Sequence, residues 1–172
     1  MALLEIVKYG DPVLRKKALP VDVFDEGLKR LAADMLETMY ANNGVGLAAN
    51  QVGVLKRVVV IDTGSQEHPQ PLKLINPQII GVSKDKTTFE EGCLSFPGIT
   101  EKIDRPSAVK AHAFDENGRE LVIEAEGLAA IAIQHELDHI NGVVFIDRMT
   151  PVRKMLHNKE LRSLKKTYKK PK

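Results

Sequence analysis

The chain is short of the features that staple, anchor or export a protein. Its 172 residues contain one cysteine, Cys93, so no internal disulfide can form. A lone thiol of this kind fits a reducing compartment. No apolar run approaches the roughly 18 residues that a membrane-spanning helix needs. The start, Met1-Ala2-Leu3-Leu4-Glu5, lacks the basic segment and apolar stretch of a secretory signal. Aromatic residues make up only 5%, within an otherwise ordinary composition of 43% hydrophobic and 28% charged residues. These absences exclude a disulfide scaffold and a helical membrane protein, and the expectation is a cytoplasmic protein with no membrane partner. The length predicts one domain over residues 1–172, large enough to bury a core without staples.

The formal net charge of +2 hides an asymmetry. Residues 153–172 hold nine of the 25 Lys and Arg residues but one of the 23 acids, Glu160, so the rest of the chain is six charges negative. A basic tail on an acidic body points to an anionic partner for the tail and not for an active site.

Hydrophobic periodicity sets the coarse architecture. Residues 3–20 read as extended and irregular, broken at Gly10-Asp11-Pro12 and Leu19-Pro20. A helix is predicted from about Asp25 to Asn42, where Leu28, Leu31, Ala32, Met35, Leu36 and Met39 recur at helical spacing and serve core packing. The segment from Asn42 to Gly53 has three glycines, two alanines and no charge. It looks too small-sided for a packed strand, and reads either as a glycine turn or as backbone running close to a ligand. Lys56 to Asp62 is a β-branched strand, and Leu72 to Val82 reads as a strand pair broken at Asn76-Pro77. His68, in the polar loop between them, reads as a surface residue. Val109–Phe114 and Glu120–Ala125 flank Asp115-Glu116-Asn117-Gly118 as a hairpin containing a structural or exposed His112. The fold class is therefore α+β. Antiparallel or mixed strands wrap a central helix, with an N-terminal helix before it and a basic C-terminal helix over about 152–168 after it, carrying Leu161, Leu164 and Tyr168 on one side.

The central helix carries the chemistry. It is predicted from about Leu128 to Ile140, ending at Asn141-Gly142, where glycine supplies the positive φ of a helix C-terminus. His135 and His139 lie four apart, so both imidazoles leave one face, one turn above the other. Two ring nitrogens so placed can grip one metal ion, and Glu136 can reach a water on it as a general base. A hydrogen-bonded pair of core histidines is the plainer alternative.

A catalytic site of this kind usually has a third protein ligand. An extension to a third histidine fails, because Phe145 occupies that position. Glu160, 21 residues after His139, would serve a zinc endopeptidase, but it sits in the basic helix. Cys93, in Glu90-Glu91-Gly92-Cys93-Leu94-Ser95, is the other candidate, a soft thiolate beside a glycine that lets the chain turn. Its rival use as a nucleophile leaves the paired histidines and Glu136 unexplained.

Three segments taken together resemble the peptide deformylases: Gly44-Val45-Gly46-Leu47-Ala48-Ala49-Asn50-Gln51, Glu91-Gly92-Cys93-Leu94-Ser95 and Gln134-His135-Glu136-Leu137-Asp138-His139. The likeness, in order and spacing, extends over nearly the whole chain, and it is to the bacterial type with a long C-terminal helix. It implies a hydrolase that removes the formyl group from the N-terminal formylmethionine of nascent chains, releasing formate. It implies one divalent metal held by Cys93, His135 and His139, natively iron(II), with zinc, nickel or cobalt as substitutes. By the resemblance, Glu136 is the general base, and Gln51 and the Leu94 N–H stabilise the oxyanion. Gly46 and the stretch after Gly98 pair with the peptide backbone, and Gly44, Val45, Phe89, Glu91, Leu128, Ile131 and Ala132 line or border the methionine pocket. Pro97-Gly98-Ile99-Thr100 lacks the arginine that many bacterial members have just past the cysteine. The basic tail over 150–172 is expected to dock on the ribosome near the nascent-chain exit, through RNA phosphates, and the protein to be a monomer.

Overall fold

The computed structural model describes residues 2–64, 67 and 69–167; His68 and Tyr168, which the sequence placed on a surface and on a helix face, lie outside the described residues. Among the described residues, seven strands and four α-helices follow in the order α1 (Glu26–Ala41), β1 (Gly46–Ala48), β2 (Val58–Ile61), β3 (Leu72–Val82), β4 (Lys86–Gly92), β5 (Thr100–Pro106), β6 (Ala108–Phe114), β7 (Glu120–Glu126), α2 (Gly127–Ile140), α3 (Pro151–Leu156) and α4 (Asn158–Thr167). All pairings between these strands are antiparallel. Five strands form one sheet in the order β1-β2-β3-β6-β7, and β4-β5 form a separate hairpin.

The core is built in layers around β2. Its four residues, Val-Val-Val-Ile, are all buried. Val58 and Val60 pack with Leu28, Ala32, Met35 and Met39 of α1, whereas Val59 and Ile61 pack with Ala130, Ile133, Leu137 and Ile140 of α2. A strand covered on both faces reads as an unbroken apolar run, because neither face needs polar residues. A third cluster, including Phe96, Ile99, Ile103, Phe145 and Leu161, gathers the β4–β5 hairpin, the loop after α2 and α4. Of the fourteen residues of α2, ten are buried, so it has almost no solvent face. Asp25 caps α1 by accepting from the Leu28 N–H at 2.8 Å. At the end of α2, Gly142 has φ of 76°, and a Cβ there would sit 2.5 Å from the Arg15 carbonyl oxygen, so only glycine fits.

Several expectations need correction. The small-sided segment does contain a packed strand: Gly46–Ala48 is fully buried and pairs with β2 at the sheet edge, Leu47 opposite Val60. Small residues suit it because Leu47 packs on the α1 side and Ala48 on the α2 side. Residues 72–82 form one strand and not two. Asn76, at φ of 52°, sits in a register shift that accommodates Pro77, and its amide is held by the Val21 N–H and carbonyl, each at 2.8 Å. The basic helix is two helices, interrupted at His157, whose ring meets Glu101 at 3.2 Å; α4 then directs Leu161 and Leu164 onto the third cluster. The hairpin β6–β7 stands as expected, with His112 half-buried against Glu120 at 2.6 Å.

Candidate metal centre

Helix α2 presents His135 and His139 toward the loop that leaves β4. The ring centroids are 5.0 Å apart, and Cys93 Sγ lies 3.2 Å from His139 Nε2. One ligand atom from each of Cys93, His135 and His139 falls within 4.8 Å of the other two, and these three could hold one metal ion. A thiolate and two imidazoles suit a borderline-soft divalent cation and leave a position free for water. Glu160, the other third-ligand candidate, lies exposed on α4 and is not part of the group.

The protonation pattern follows from burial and neighbours. Burial disfavours a charge on His139, and the adjacent His135 charge adds to it, so its pKa falls well below the usual histidine value. Burial also opposes protonation of His135, but hydrogen bonds to Cys93 and Glu91 outweigh it and raise its pKa well above that value. Burial is likewise the main reason that the Glu136 carboxyl is pushed up to about 7, with the Glu91 charge adding to it and His135 pulling the other way. Its Oε2 has no hydrogen-bond partner among the described residues. Its Oε1 lies so close to Gly46 that a Cβ there would sit 2.5 Å away. Gly46 is therefore glycine to admit the Glu136 carboxylate.

A second layer holds the candidate ligands. Glu91, 4% exposed, accepts from His135 Nδ1 at 2.8 Å and takes the Arg105 guanidinium through both oxygens, from Nε at 2.5 Å and from Nη2 at 3.0 Å. Arg105 extends to Asp138 at 2.9 Å, and Asp138 to Arg148. Burial alone would raise the Glu91 pKa, but the His135 and Arg105 bonds bring it below the ordinary carboxylate value. Gln51 Nε2 lies 3.5 Å from Cys93 Sγ and 3.3 Å from Ser95 Oγ, and its Oε1 accepts from the Ala48 N–H at 2.8 Å.

Beside this group opens a cleft of about 580 Å³. Its wall includes Gly44, Val45, Phe89, Leu128, Ile131 and Ala132, together with Gly46, Gln51, Leu94, Cys93, His135 and Glu136. His139, fully buried, stands behind it. Glu91 borders the cleft too, yet its carboxylate is committed to Arg105 and His135 and faces the protein interior.

The chain matches the family model described as polypeptide deformylase over residues 3–155. It is 56% identical over 150 residues to the peptide deformylase of Clostridium botulinum (strain Alaska E43 / Type E3), covering 87% of this chain and 99% of that one. This chain belongs to the polypeptide deformylase family. A second deformylase, from Thermodesulfovibrio yellowstonii, is 48% identical over 166 residues, 96% of this chain and all of its own. The crystal structure of a plant peptide deformylase superposes with a TM-score of 0.92 at 42% identity, covering 96% of this chain and 90% of that one. The fold is thus the deformylase fold, and the chain is a hydrolase of that family. No helix among the described residues is long and apolar enough to cross a membrane.

Sequence reasoning missed Arg105 and Asp138. Arg105 lies in β5, a strand whose polar-apolar pattern, Thr-Glu-Lys-Ile-Asp-Arg-Pro, gives little sign of an inward-facing charge. Asp138 stood inside the quoted helix motif without a role of its own. Lys8, 86 residues from Leu94 in sequence, donates to the Leu94 carbonyl at 2.8 Å on the cleft rim. Nothing local in the sequence announces that contact.

Proposed function

We propose that this chain removes the formyl group from the N-terminal formylmethionine of newly made polypeptides, and that residues 1–172 act as one catalytic unit. The observation that carries the reading is the juxtaposition of three groups. They are the Cys93, His135 and His139 ligand set, the unpartnered buried Glu136 carboxylate, and a largely apolar cleft opening beside both. A divalent metal held by Cys93, His135 and His139 would supply Lewis acidity, polarising the formyl carbonyl and lowering the pKa of a water toward neutrality. Iron(II) is the native metal in this reading, with zinc, nickel or cobalt as substitutes.

The chain's own residues do the rest. Glu136 accepts a proton from the attacking water and returns it to the departing amine, so the C–N bond breaks to formate and a free N-terminus. The Gln51 amide and the Leu94 N–H stabilise the negative charge that develops on the formyl oxygen. The methionine side chain occupies the slot between Val45, Phe89, Leu128, Ile131 and Ala132, with Gly44 at its entrance. An apolar slot suits a flexible thioether. The peptide backbone runs strand-like past Gly46 and the stretch after Gly98. Glu91 borders the slot and orients His135 through its Nδ1.

The test is release of formate from a formylmethionyl peptide by metal-loaded, anaerobically prepared protein. Glu136→Ala should abolish turnover yet retain metal, and Cys93→Ser should lose metal while Glu160→Ala keeps it. Cleavage of internal peptide bonds without formate release would instead mark an endopeptidase.

The same reading places the protein in the cytoplasm, as a monomer that meets nascent chains at the ribosome through its basic tail. Arg162, Lys165 and Lys166 are exposed on α4, whereas Leu161 is buried. Charge reversal is therefore the cleaner test than truncation, which would uncover the third core cluster. If Arg162, Lys165 and Lys166 all become Glu and ribosome co-sedimentation is unchanged at low and moderate salt, the docking reading is wrong.

A further inference from the structure

We propose that Asn50 is a positioning residue for the metal centre: its side-chain oxygen is the outer acceptor that fixes His139 as the Nδ1–H tautomer. Two of the three ligands already have an outer partner. His135 Nδ1 meets Glu91 Oε2 at 2.8 Å, and Cys93 Sγ meets Gln51 Nε2 at 3.5 Å. His139 does not. Its Nε2 faces Cys93 at 3.2 Å, and its Nδ1 is buried with no hydrogen-bond partner. A neutral imidazole that gives its Nε2 lone pair to a cation carries its hydrogen on Nδ1, and that N–H needs an acceptor.

Asn50 sits in the single turn 49–52 that also holds Gln51, and it is fully buried. Its Nδ2 donates to the His139 carbonyl at 2.5 Å. The amide orientation is not arbitrary, because a carbonyl can only accept, so the nitrogen must face it. That leaves Oδ1 buried and without a partner. Among the described residues, three buried side-chain N or O atoms lack partners: Asn50 Oδ1, Glu136 Oε2 and His139 Nδ1. Glu136 belongs to the reacting volume. The remaining acceptor and the donor that needs one lie on two residues already bonded to each other. The proposed pairing is direct or runs through one bridging water, and both routes use Oδ1. One short turn then serves two ligands, Gln51 behind the sulfur and Asn50 behind the second imidazole.

This rests on the metal site and not on the reaction. Iron(II)-loaded, anaerobically prepared protein that releases no formate would sink the deformylase reading and leave this proposal standing. Wild-type protein that binds no zinc would sink both. The first measurement needs no variant: imidazole proton–nitrogen NMR of the zinc-loaded protein. It should show His139 ligated through Nε2 with a slowly exchanging Nδ1–H. Ligation through Nδ1, or an Nδ1–H in fast exchange with solvent, would overturn the proposal.

The second is zinc affinity by chelator competition in Asn50→Leu and Asn50→Asp. Loss of an outer partner typically weakens binding by about 10–100-fold, and that is expected for Asn50→Leu. Asn50→Asp keeps the acceptor while losing the donor to the His139 carbonyl, so it should bind zinc within about 3-fold of wild type or more tightly. If the two variants weaken zinc equally, Asn50 acts only as a cap on the helix carbonyl. If Asn50→Leu binds zinc like wild type, Asn50 has no positioning role.

Discussion

Replacing Arg105 by Met is the sharpest test of the network behind the metal ligands. Arg105 and Glu91 are each 4% exposed, and the guanidinium serves both Glu91 oxygens and one oxygen of Asp138. Methionine fills a similar volume but leaves the Glu91 carboxylate buried with only His135 as partner. Removing one member of a buried ion pair costs roughly 3–5 kcal/mol, because the remaining charge is stranded in a medium that solvates it poorly. For a chain of this size 1 kcal/mol moves Tm by about 2–4 °C, so a fall of roughly 6–20 °C is expected. The assay is thermal unfolding at fixed, saturating metal, since metal binding itself stabilises the native state. Adding Glu91→Gln to Arg105→Met removes the stranded charge yet keeps an acceptor for His135 Nδ1, and should recover a large part of the loss. The sign with pH follows from Glu91. Its folded pKa lies below the ordinary carboxylate value, so its contribution is present above about pH 4.5 and lost as pH falls through the folded pKa. The gap between wild type and Arg105→Met should therefore narrow in acid. A single variant within about 1 kcal/mol of wild type, or a double variant that loses both costs additively, would refute the reasoning.

Other outcomes follow from the same geometry. Gly46→Ala places a Cβ 2.5 Å from Glu136 Oε1, so the base must move; formate release should fall by about 10²-fold with metal content unchanged, as measured by elemental analysis. Tyr40 donates to Asp62 at 2.5 Å. That bond, with the Gly64 and Gln70 N–H groups, outweighs burial and holds the Asp62 pKa down, while burial and Asp62 push Tyr40 up to about 12. Tyr40→Phe should cost about 1 kcal/mol, discounted because Tyr40 is 43% exposed. In urea titrations the cost should be present at neutral pH, vanish as pH falls below about 3.8, and shrink again above about pH 10. Leu161→Ala should lower stability by about 2–4 kcal/mol, near the ordinary cost of deleting a buried leucine side chain. An unchanged denaturant midpoint would mean that α4 does not pack on the third cluster.

The sequence by itself determined the local chemistry. Helical spacing put His135, Glu136 and His139 on one stretch of α2, and the glycine end-stop at 142 closed it. The β-branched run at 58–61, the hairpin at Asp115–Gly118 and the α1 stripe were also legible, because period and turn chemistry are local properties of a chain. Three short motifs in series identified the family, and with it Cys93 as the candidate third ligand.

What only the tertiary structure decided lies at long range. Glu91 read as a pocket residue, but its carboxylate turns inward, because Arg105 and His135 come from two other elements and meet behind it. Asn76-Pro77 read as a break, but the Val21 backbone, 55 residues away in sequence, holds the bulge inside one strand. Gly46 read as backbone running close to a ligand, and its side-chain-free position also admits the Glu136 carboxylate 90 positions on. Asn50 read as one polar residue in a small-sided run, and only folding sets its amide against the carbonyl of His139. In each case a side chain's partner is chosen by packing between elements, and hydrogen-bond satisfaction in a buried site is a property of the whole neighbourhood. No local pattern encodes it.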